Sequence, residues 1–418
     1  MEKLKLYLFI FLLISFQACE NRKPGNNTEV QNKLILGSDK LIHENIRLIK
    51  NKKLGIVANR ASILSNGVTL VDTLSKINGI NIRAIFAPEH GYSINVSAGE
   101  NSSDSADKNI PVYSLYGRYR KPSPEMLKDI DLIIYDLQDT GTRFYTYITT
   151  LFYVMQAAAE NRIPLIVLDR PDLIGGSNVE GPVLNTDMRS FIGMTPLPIV
   201  YGMTVGELAE LFAGENWIEA DSISLRIIKM SNWNRKSSFA DYKLPWINPS
   251  PNIPDVETAL IYPGMALLEG TNVSEGRGTE QPFKVIGAPF INPAELINEL
   301  DSLGHPGLSI KPAHFIPVKL PGKADKPKYE NTRCSGIQLK VEKSDEFKPV
   351  DFGIRLLFAL HKLYPEKFKF EPAFFDKLAG DKSLRKMLML NRTPLAIVES
   401  WKFGIKRFLE KRFQYLLY

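Results

Sequence analysis

Four apolar segments of this sequence end in side chains that could do chemistry. These side chains are Asn59 and Arg60, Glu89 and His90, Asp136, Gln138 and Asp139, and Asp169 and Arg170. If the apolar segments are parallel strands, their carboxyl ends meet at one edge of a sheet, where open α/β sheets bind ligands. Carboxylates, amides and guanidinium groups gathered at such an edge are typical of a site for a polar substrate.

Glu89 lies between Pro88 and His90, directly after one of these segments. A carboxyl group at that point is expected to be partly desolvated, which favours the protonated form that a general acid needs. We therefore predict that Glu89 is a catalytic acid. The alternative is that Glu89 caps a helix or pairs with a neighbouring arginine.

Asp136 and Asp139 are predicted to supply the second carboxylate. Glycoside hydrolysis usually needs two carboxyl groups around the bond, one as acid and one as base or nucleophile. A second carboxylate can instead orient the acetamido oxygen of the substrate as the nucleophile. Either aspartate could also belong to a hydrogen-bonded turn. Arg143 and Tyr145 follow at the start of a predicted helix, and we expect them to contact the substrate.

A glycine-rich segment, residues 269–279, adds a second group of polar side chains. They are Glu269, Asn272, Glu275 and Arg277. The segment lacks the Lys-Ser/Thr ending of a phosphate-binding loop, so it is not a nucleotide loop. Its groups suit the hydroxyls of a sugar, and Arg277 or Arg143 could bind a carboxylate. The alternative is a surface loop with local ion pairs.

Several other chemistries are poorly supported. No G-x-G-x-x-G follows the first apolar segment, and neither H-E-x-x-H nor G-x-S-x-G occurs. Dinucleotide dehydrogenases, zinc peptidases and common serine hydrolases are therefore not expected. A metal site made by His90, Asp136 and Asp139 is a minor alternative, and we predict no metal and no cofactor.

The elements that must position these residues follow from the apolar pattern. The predicted strands are 54–58, 82–87, 131–135 and 165–168, all continuous apolar runs of the kind buried on both faces. Helical patterns lie between them at 68–77 and 145–160, and a further helix begins at Thr204, which forms a capping box with Glu207. This alternation predicts an α/β fold with a Rossmann-like parallel-sheet domain, residues 34–215.

The pattern changes from about residue 216, and residues 216–418 are predicted to form a smaller α+β domain. Its predicted strands are 225–230, 315–320 and 337–341, and its predicted helices are 294–303, 352–363 and 393–413. Two loops rich in glycine and proline join the two parts, namely 248–254, which contains Asn252, and 269–279. Because ligand clefts often form at domain junctions, we expect the active site between the two domains.

The first residues have the pattern of an export signal. Lys3 and Lys5 precede an apolar stretch, residues 6–16, that is too short to span a membrane, and Ala18-Cys19 follows. Residues 1–19 are predicted to be a lipoprotein signal peptide with Cys19 as the lipidated residue, and residues 20–33 a polar tether. The protein is then an exported lipoprotein of the cell envelope that faces the periplasm. Ordinary secretion with cleavage near Ala18 is the alternative.

Composition sets few further limits. A length of 418 residues, 44% hydrophobic and 23% charged, is ordinary for a packed globular protein. The net charge of +6 is spread along the chain except for a basic run at 402–412, which we interpret as a solvated helix face. No nucleic-acid partner is expected. Only Cys334 follows Cys19, so no intrachain disulfide is expected.

Eight motifs, in order along the chain, resemble one family. They are PEHG (88–91), PVYSLYG (111–117), DLQDTGTRFYTYI (136–148), VLDRP (167–171), VEGP (179–182), YGMTVGELA (201–209), PSPNIP (249–254) and EGTNVSEGRGT (269–279). This set is similar to the NamZ family of exo-β-N-acetylmuramidases, and the resemblance covers residues 34–418. Residues 59–62 and Thr140 depart from the usual family pattern, which bears mainly on the role of Arg60.

The resemblance implies a glycoside hydrolase that releases N-acetylmuramic acid from the non-reducing end of peptidoglycan fragments, in cell-wall turnover or recycling. It also implies that Glu89 is the catalytic acid. The predicted substrate contacts are Arg60, His90, Gln138, Arg143, Tyr145, Asp169, Arg170, Glu180, Asn252, Glu269, Asn272, Glu275 and Arg277. The competing hypothesis is a lipid-anchored protein that binds cell-wall sugars without cleaving them. A retaining, inverting or substrate-assisted mechanism is equally compatible with the sequence, and so is any oligomeric state.

Overall fold

A computed structural model of the chain describes residues 33–94, 110–220 and 222–418. The predicted signal peptide, Cys19 and all of the predicted tether except Lys33 lie outside these residues. Leu34–Tyr418 cluster as one unit by their contacts. Within the described residues, no helix is long and apolar enough to cross a membrane.

The larger sheet is parallel. Its strands within the described residues are β1 (Lys53–Ala58), β2 (Asn81–Ala87), β3 (Val112–Ser114), β4 (Leu132–Asp136), β5 (Leu165–Leu168) and β6 (Leu225–Ile228). They lie in the order β3-β2-β1-β4-β5-β6, and each neighbouring pair is parallel. Strands β2 and β3 follow on one side of β1, and strands β5 and β6 follow on the other side of β4, so the strand order reverses between β1 and β4. Open α/β sheets bind ligands at the carboxyl ends of the strands beside such a reversal. The predicted Rossmann-like fold class is confirmed.

Alternate residues of these strands face two separate cores, which is why the strands read as continuous apolar runs. Val57 and Ile133 face one core, whereas Ile56 and Ile134 face the other. The first face is covered by α4 (Tyr147–Glu160) and α5 (Val205–Gly214), and the second by α1 (Gly37–His43) and α2 (Leu70–Leu74). A short helix, α3 (Pro124–Leu127), precedes β4. Each buried aliphatic side chain contributes roughly 1.5 to 3 kcal/mol, so the strands are held from both sides.

The strand predicted at 225–230 was assigned to the wrong part of the fold. β6 pairs in parallel with β5, from Leu165 opposite Leu225 to Leu168 opposite Ile228. It is therefore the edge of the larger sheet. Arg226 is exposed and only Ile228 is buried, so this edge strand alternates in a way that the four central strands do not. The division of the chain at residue 215 stays a prediction.

The smaller sheet is antiparallel, with strands β7 (Val285–Ala288), β8 (Leu308–Phe315) and β9 (Cys334–Val341) in the order β7-β9-β8. Of the helices α6 (Val256–Met265), α7 (Pro293–Leu303) and α8 (Pro349–Leu363), α7 packs on β8 and β9, and α8 packs on α6 and α7. The strand predicted at 315–320 is wrong, because β8 ends at Phe315. Beyond it, Ile316 is 52% exposed and Pro317 has no backbone donor for a sheet.

The predicted capping box of α5 is confirmed in atomic detail, and α7 also begins with a capping side chain. The Thr204 hydroxyl accepts a hydrogen bond from the Glu207 amide, and the Glu207 carboxylate accepts one from the Thr204 amide, so α5 begins with the expected capping box. The Asn292 side chain accepts from the Ala294 and Glu295 amides at the start of α7. Both caps satisfy amides that have no partner within the helix.

The helix predicted at 393–413 is divided in the structure. The last four helices are α9 (Pro372–Ala379), α10 (Lys382–Met389), α11 (Pro394–Ser400) and α12 (Lys402–Phe413). Trp401, between α11 and α12, is only 7% exposed. The chain then returns to the larger sheet, where the Tyr418 hydroxyl donates a 2.7 Å hydrogen bond to Asp169 after β5. Tyr418 also packs in an apolar cluster with Leu34 and Leu36.

Candidate active site

A cavity of about 320 Å³ lies where the turn after β2, the start of α4 and the two glycine-rich and proline-rich loops converge. Its lining includes Glu89, His90, Tyr116, Phe144, Tyr145, Thr146, Ser250, Asn252, Tyr262, Glu269, Arg277, Phe283 and Phe374. Six of the predicted site residues therefore share one cavity, namely Glu89, His90, Tyr145, Asn252, Glu269 and Arg277. Its walls combine two carboxyl groups and a guanidinium with aromatic rings, which suits a polar ligand that also has apolar faces.

Glu89 reaches the cavity from a tight turn after β2. His90 and Gly91 both have a left-handed backbone, with φ of 74° and 75°, and the Gly91 amide donates to the Pro88 carbonyl at 3.1 Å. A left-handed conformation is unusual for a histidine and is found at functional turns. The Thr146 hydroxyl donates a 2.7 Å hydrogen bond to Oε2 of Glu89, which is 8% exposed. The predicted position of Glu89 in a partly desolvated site is confirmed.

Tyr116 lies beside Glu89 on the cavity wall. Burial, together with the nearby Glu89 carboxylate, raises the pKa of Tyr116 to about 12. Its hydroxyl therefore stays protonated at neutral pH and remains able to donate a hydrogen bond. Tyr116 lies within the motif at 111–117 and was not predicted to be a site residue.

A buried tyrosine ties together the segment after β1, the start of α4 and the loop at 248–254. The Tyr147 hydroxyl donates to the Pro249 carbonyl at 2.6 Å and accepts from the Asn59 side-chain amide at 2.9 Å. Asn59 follows β1, Tyr147 begins α4, and Pro249 precedes the cavity residues Ser250 and Asn252. These two hydrogen bonds hold the loop at 248–254 at the carboxyl ends of the strands of the larger sheet.

Arg277 and Glu269 form another part of the cavity wall. Nη2 of Arg277 lies 3.0 Å from Oε1 of Glu269, and Nε lies 3.6 Å from Oε1 of Glu275. Glu275 also accepts a 3.0 Å bond from Lys328. Burial opposes the charge on Arg277, but Glu269 and Glu275 together raise its pKa, so the guanidinium is charged. Burial raises the pKa of Glu269, and the charge of Arg277 opposes that shift.

Asp136, predicted as a catalytic carboxylate, is part of a buried ion pair. Its oxygens accept hydrogen bonds of 2.6 and 2.8 Å from Nε and Nη2 of Arg170, and both side chains are at most 3% exposed. Arg170 also donates to the Ile63 carbonyl at 2.8 Å. Both oxygens of Asp136 are thus occupied, and neither residue is among those that line the cavity within the described chain. The pair fastens β4 to β5 at their carboxyl ends.

Asp139, the other predicted catalytic aspartate, forms the turn that the sequence analysis named as its alternative. Oδ2 accepts hydrogen bonds from the Gly141 amide at 2.8 Å and from the Tyr201 hydroxyl. Burial raises the pKa of Asp139 to about 6. His90, Asp136 and Asp139 are also not brought together as a group that could hold a metal ion, as judged from the described residues.

Arg143 does not reach the cavity, contrary to its prediction as a carboxylate ligand. The side chain is 0% exposed. Its Nη1 donates to the carbonyls of Pro182 and Leu197 at 2.7 and 2.8 Å, and its Nη2 donates to those of Leu378 and Ala379 at 2.9 and 2.7 Å. Leu378 and Ala379 are the last residues of α9, so Arg143 binds carbonyls that have no partner within that helix. Its position is that of a structural cross-link.

Two further predicted contacts hold helix starts. Asp169 accepts from the Gly206 amide and the Thr204 hydroxyl, both at 2.8 Å, at the start of α5. Glu180 accepts from the Val350 amide at 3.0 Å at the start of α8. A carboxylate at a helix start satisfies free amides and interacts favourably with the helix dipole. These residues therefore position helices, and the motifs VLDRP and VEGP carry structural side chains.

The remaining predicted contacts, Gln138, Asn272 and Arg60, are not among the residues that line the cavity. The Gln138 amide donates to the Pro171 carbonyl at 2.8 Å. The Asn272 side chain donates to the Lys367 carbonyl and accepts from the Lys369 amide, both at 2.8 Å, which fixes the loop at 269–279 to the segment before α9. Arg60 is exposed, and its backbone amide donates to Tyr92.

Several cavity residues were missed by the sequence analysis. They are Tyr116, Phe144, Thr146, Ser250, Tyr262, Phe283 and Phe374. Four of these, Tyr116, Phe144, Thr146 and Ser250, stand inside quoted motifs, which is the signal that could have found them. Tyr262, Phe283 and Phe374 stand outside those motifs, and only the folded chain brings them to the cavity.

Comparisons with known proteins give one consistent picture. Residues 54–257 match the N-terminal profile, and residues 260–418 the C-terminal profile, described as "Exo-beta-N-acetylmuramidase NamZ". The chain is 42% identical over 396 residues to the peptidoglycan beta-N-acetylmuramidase NamZ of Bacillus subtilis (strain 168), covering 94% of this chain and 93% of that protein.

Two solved structures extend the comparison to the fold. Both are crystal structures of DUF1343 family proteins from Bacteroides fragilis NCTC 9343. One has a TM-score of 0.85 at 30% identity and covers 92% of this chain and 99% of its own. The other has a TM-score of 0.74 at 32% identity and covers 93% and 99%.

Proposed function

Because this chain belongs to the exo-β-N-acetylmuramidase NamZ family, we propose that its cavity cleaves a terminal N-acetylmuramic acid residue from peptidoglycan fragments. The chain is an enzyme, a glycoside hydrolase, and its substrate is derived from peptidoglycan. One observation supports this cavity as the active site: Glu89 and Glu269 line it together with Arg277.

Glu89 and Glu269 are the two carboxyl groups that the reaction requires. An acid must protonate the oxygen of the leaving sugar, and a second carboxylate must act on the anomeric centre or orient the group that attacks it. We assign the acid to Glu89, because it is buried beside the protonated Tyr116, whereas Glu269 is paired with Arg277. Glu269 takes the place that the sequence analysis gave to Asp136 and Asp139.

The cavity is large enough for the terminal sugar. A volume of about 320 Å³ lies within the range for ligand pockets, which is roughly 300 to 1,000 Å³. A second cavity of about 360 Å³ shares Glu269, Arg277 and Phe374 with it, so there is room for more of a glycan fragment beyond that sugar. Rings such as Tyr145 and Tyr262 offer apolar surface for the faces of that sugar, and Arg277 offers a charge for its lactyl carboxylate.

Turnover of defined fragments tests this proposal. The purified protein is incubated with two disaccharides of N-acetylmuramic acid and N-acetylglucosamine that differ in which sugar is non-reducing. We expect free N-acetylmuramic acid only from the disaccharide in which that sugar is non-reducing. Binding of both disaccharides without release of either sugar would instead indicate a binding protein and would contradict the proposal.

The proposed location of the enzyme is the cell envelope. The pattern at residues 1–19 supports a lipid anchor on Cys19, and a polar tether joins it to the folded unit at Leu34. An enzyme held there on the periplasmic side would meet fragments released from the cell wall. We therefore propose a role in cell-wall turnover or recycling.

A further inference from the structure

Exposed apolar side chains are concentrated near the end of the chain. Six large ones lie between residues 389 and 413, namely Met389, Leu390, Leu395, Phe403, Leu409 and Phe413. Phe403 and Phe413 are 73% and 78% exposed. A phenyl ring left in water on a folded protein is unfavourable, and several together mark a surface that another phase or molecule covers.

The orientation of α12 fixes which of its faces points outward. Phe408 and Arg412 are 4% and 8% exposed, and Arg412 donates to the carbonyls of Gly176 and Gly202, the latter through Nε at 3.0 Å. Since successive residues of a helix are about 100° apart, the face opposite this buried pair carries Phe403 and Phe413, with Leu409 at its edge. The three apolar side chains thus belong to one outward surface.

The same outward face is basic. Lys402, Lys406 and Arg407 lie on it and are exposed, against the carboxylate of Glu410 and that of Glu399, which pairs with Lys402 at 2.6 Å. The Arg407 guanidinium lies 5.9 Å from the centre of the Phe403 ring, so cationic and aromatic groups alternate along the surface. A binding face for another protein would group its apolar side chains in a contiguous core, with the charges at the rim.

We propose that the outward face of α12 docks on an anionic phospholipid surface. Helices that lie in the plane of a membrane combine phenyl and leucyl side chains, which enter the acyl boundary, with lysine and arginine, which bind the headgroups. The interleaved pattern on α12 has this chemistry. Lys402, Lys406 and Arg407, the exposed part of the basic run that was predicted to be a solvated face, are therefore part of a membrane-contacting face, whereas Arg412 is buried and Lys411 pairs with Glu215.

The position of α12 agrees with the proposed anchor. Tyr418 packs with Leu34 and Leu36, where the predicted tether joins the folded unit. Phe413 is five residues before Tyr418, a span of at most about 18 Å for an extended chain. A lipid anchor on Cys19 would keep α12 within reach of the same membrane, and one lipid signal combined with a basic surface binds more stably than either alone. The docking inference does not depend on the catalytic proposal.

Fluorescence quenching in vesicles tests this inference on the full chain. A Phe403→Trp variant is incorporated into vesicles of phosphatidylglycerol and phosphatidylcholine whose acyl chains are brominated. A matched Ile316→Trp variant places the probe at a 52% exposed site after β8. We expect the added emission of Phe403→Trp to be quenched at least about fivefold more than that of Ile316→Trp, and the difference to vanish in pure phosphatidylcholine.

Charge reversal supplies the second arm. Lys406→Glu with Arg407→Glu, added to Phe403→Trp, should abolish the quenching, whereas the same charge change at Lys340 and Lys343 should leave it intact. Equal quenching at positions 403 and 316, or none at 403, would overturn the inference while leaving muramidase turnover untouched. Binding to cell-wall sacculi rather than vesicles, lost with the same reversal, would also overturn it in favour of a polysaccharide partner.

Discussion

Thr146 donates its hydroxyl hydrogen to Glu89 across 2.7 Å, which joins the start of α4 to the turn after β2. The contact fixes the orientation of the carboxyl group relative to the cavity. It also brings Glu89 close to the amino end of α4, where the helix dipole is positive. The orientation of the proposed acid therefore depends on a residue that does not itself react.

Replacing Thr146 by Val should lower kcat/KM roughly 2- to 10-fold, because a hydrogen bond to the protonated carboxyl group contributes about 0.5 to 1.5 kcal/mol. Thr146→Ser keeps the hydroxyl and should change kcat/KM by less than about twofold. Steady-state kinetics on a muramyl disaccharide measures both. If Val and Ser were equally damaging, the loss could not be attributed to the hydrogen bond alone, because Ser keeps the hydroxyl.

Glu89→Gln removes the proton of the proposed acid and should lower the rate on a natural disaccharide about 100- to 10,000-fold. The loss should be much smaller on a nitrophenyl N-acetylmuraminide, because nitrophenolate leaves without protonation. Glu269→Gln should impair both substrates alike, since a group that acts at the anomeric centre is needed for either. A reversed pattern would exchange the roles of Glu89 and Glu269.

Arg277→Met should reduce the preference for muramyl over glucosaminyl substrates, since losing a buried charge-assisted pair costs about 2 to 5 kcal/mol. The ratio of kcat/KM for the two nitrophenyl glycosides measures that preference, and Arg277→Lys should keep part of it. The thermal midpoint of each variant controls for the loss of the contacts to Glu269 and Glu275. An unchanged ratio would place recognition of the lactyl group elsewhere on the cavity wall.

Arg143→Met should destabilise the fold by about 3 to 5 kcal/mol, because four buried carbonyls lose their donor. Substrate preference should be unaffected in the folded fraction. Arg189→Met is the matched control, since Arg189 is 42% exposed, and it should change stability by less than about 0.5 kcal/mol. Urea unfolding compares the two. Similar stability for both variants would contradict the structural role of Arg143.

Cys19→Ala should convert a membrane-bound protein into a soluble or unprocessed form. Detergent phase partitioning of the wild type and the variant distinguishes these outcomes. Wild-type protein that already enters the aqueous phase would exclude the lipid anchor. The vesicle experiment on α12 remains valid in that case, since its face is tested directly.

The central strands of the larger sheet could be predicted because burial on both faces leaves a continuous apolar run. The edge strand β6 could not be assigned to the larger sheet from the sequence. One of its faces is exposed, so its apolar and polar residues alternate as they do in an antiparallel strand. The predicted strand at 315–320 failed for a related reason. Ile316 and Val318 are exposed, yet they continue an apolar alternation past Phe315, where β8 ends.

The candidate site was predictable in part. Glu89, Glu269 and Arg277 share the cavity, as a set of sugar-binding residue types suggested. Asp136 was predicted wrongly, because its partner Arg170 is 34 residues away in the sequence. Two polar residues at the ends of two strands are expected both for a substrate site and for a buried ion pair, so the sequence does not distinguish the two. Only the three-dimensional fold shows that both oxygens of Asp136 are occupied.

The contact of Tyr418 with Asp169 and with the cluster around Leu34 has a consequence for how the chain is made. This corner of the molecule joins the beginning and the end of the folded unit. It cannot close before Tyr418 has been synthesised. The packing of the cluster around Leu34 is therefore completed only after the rest of the folded unit has been made.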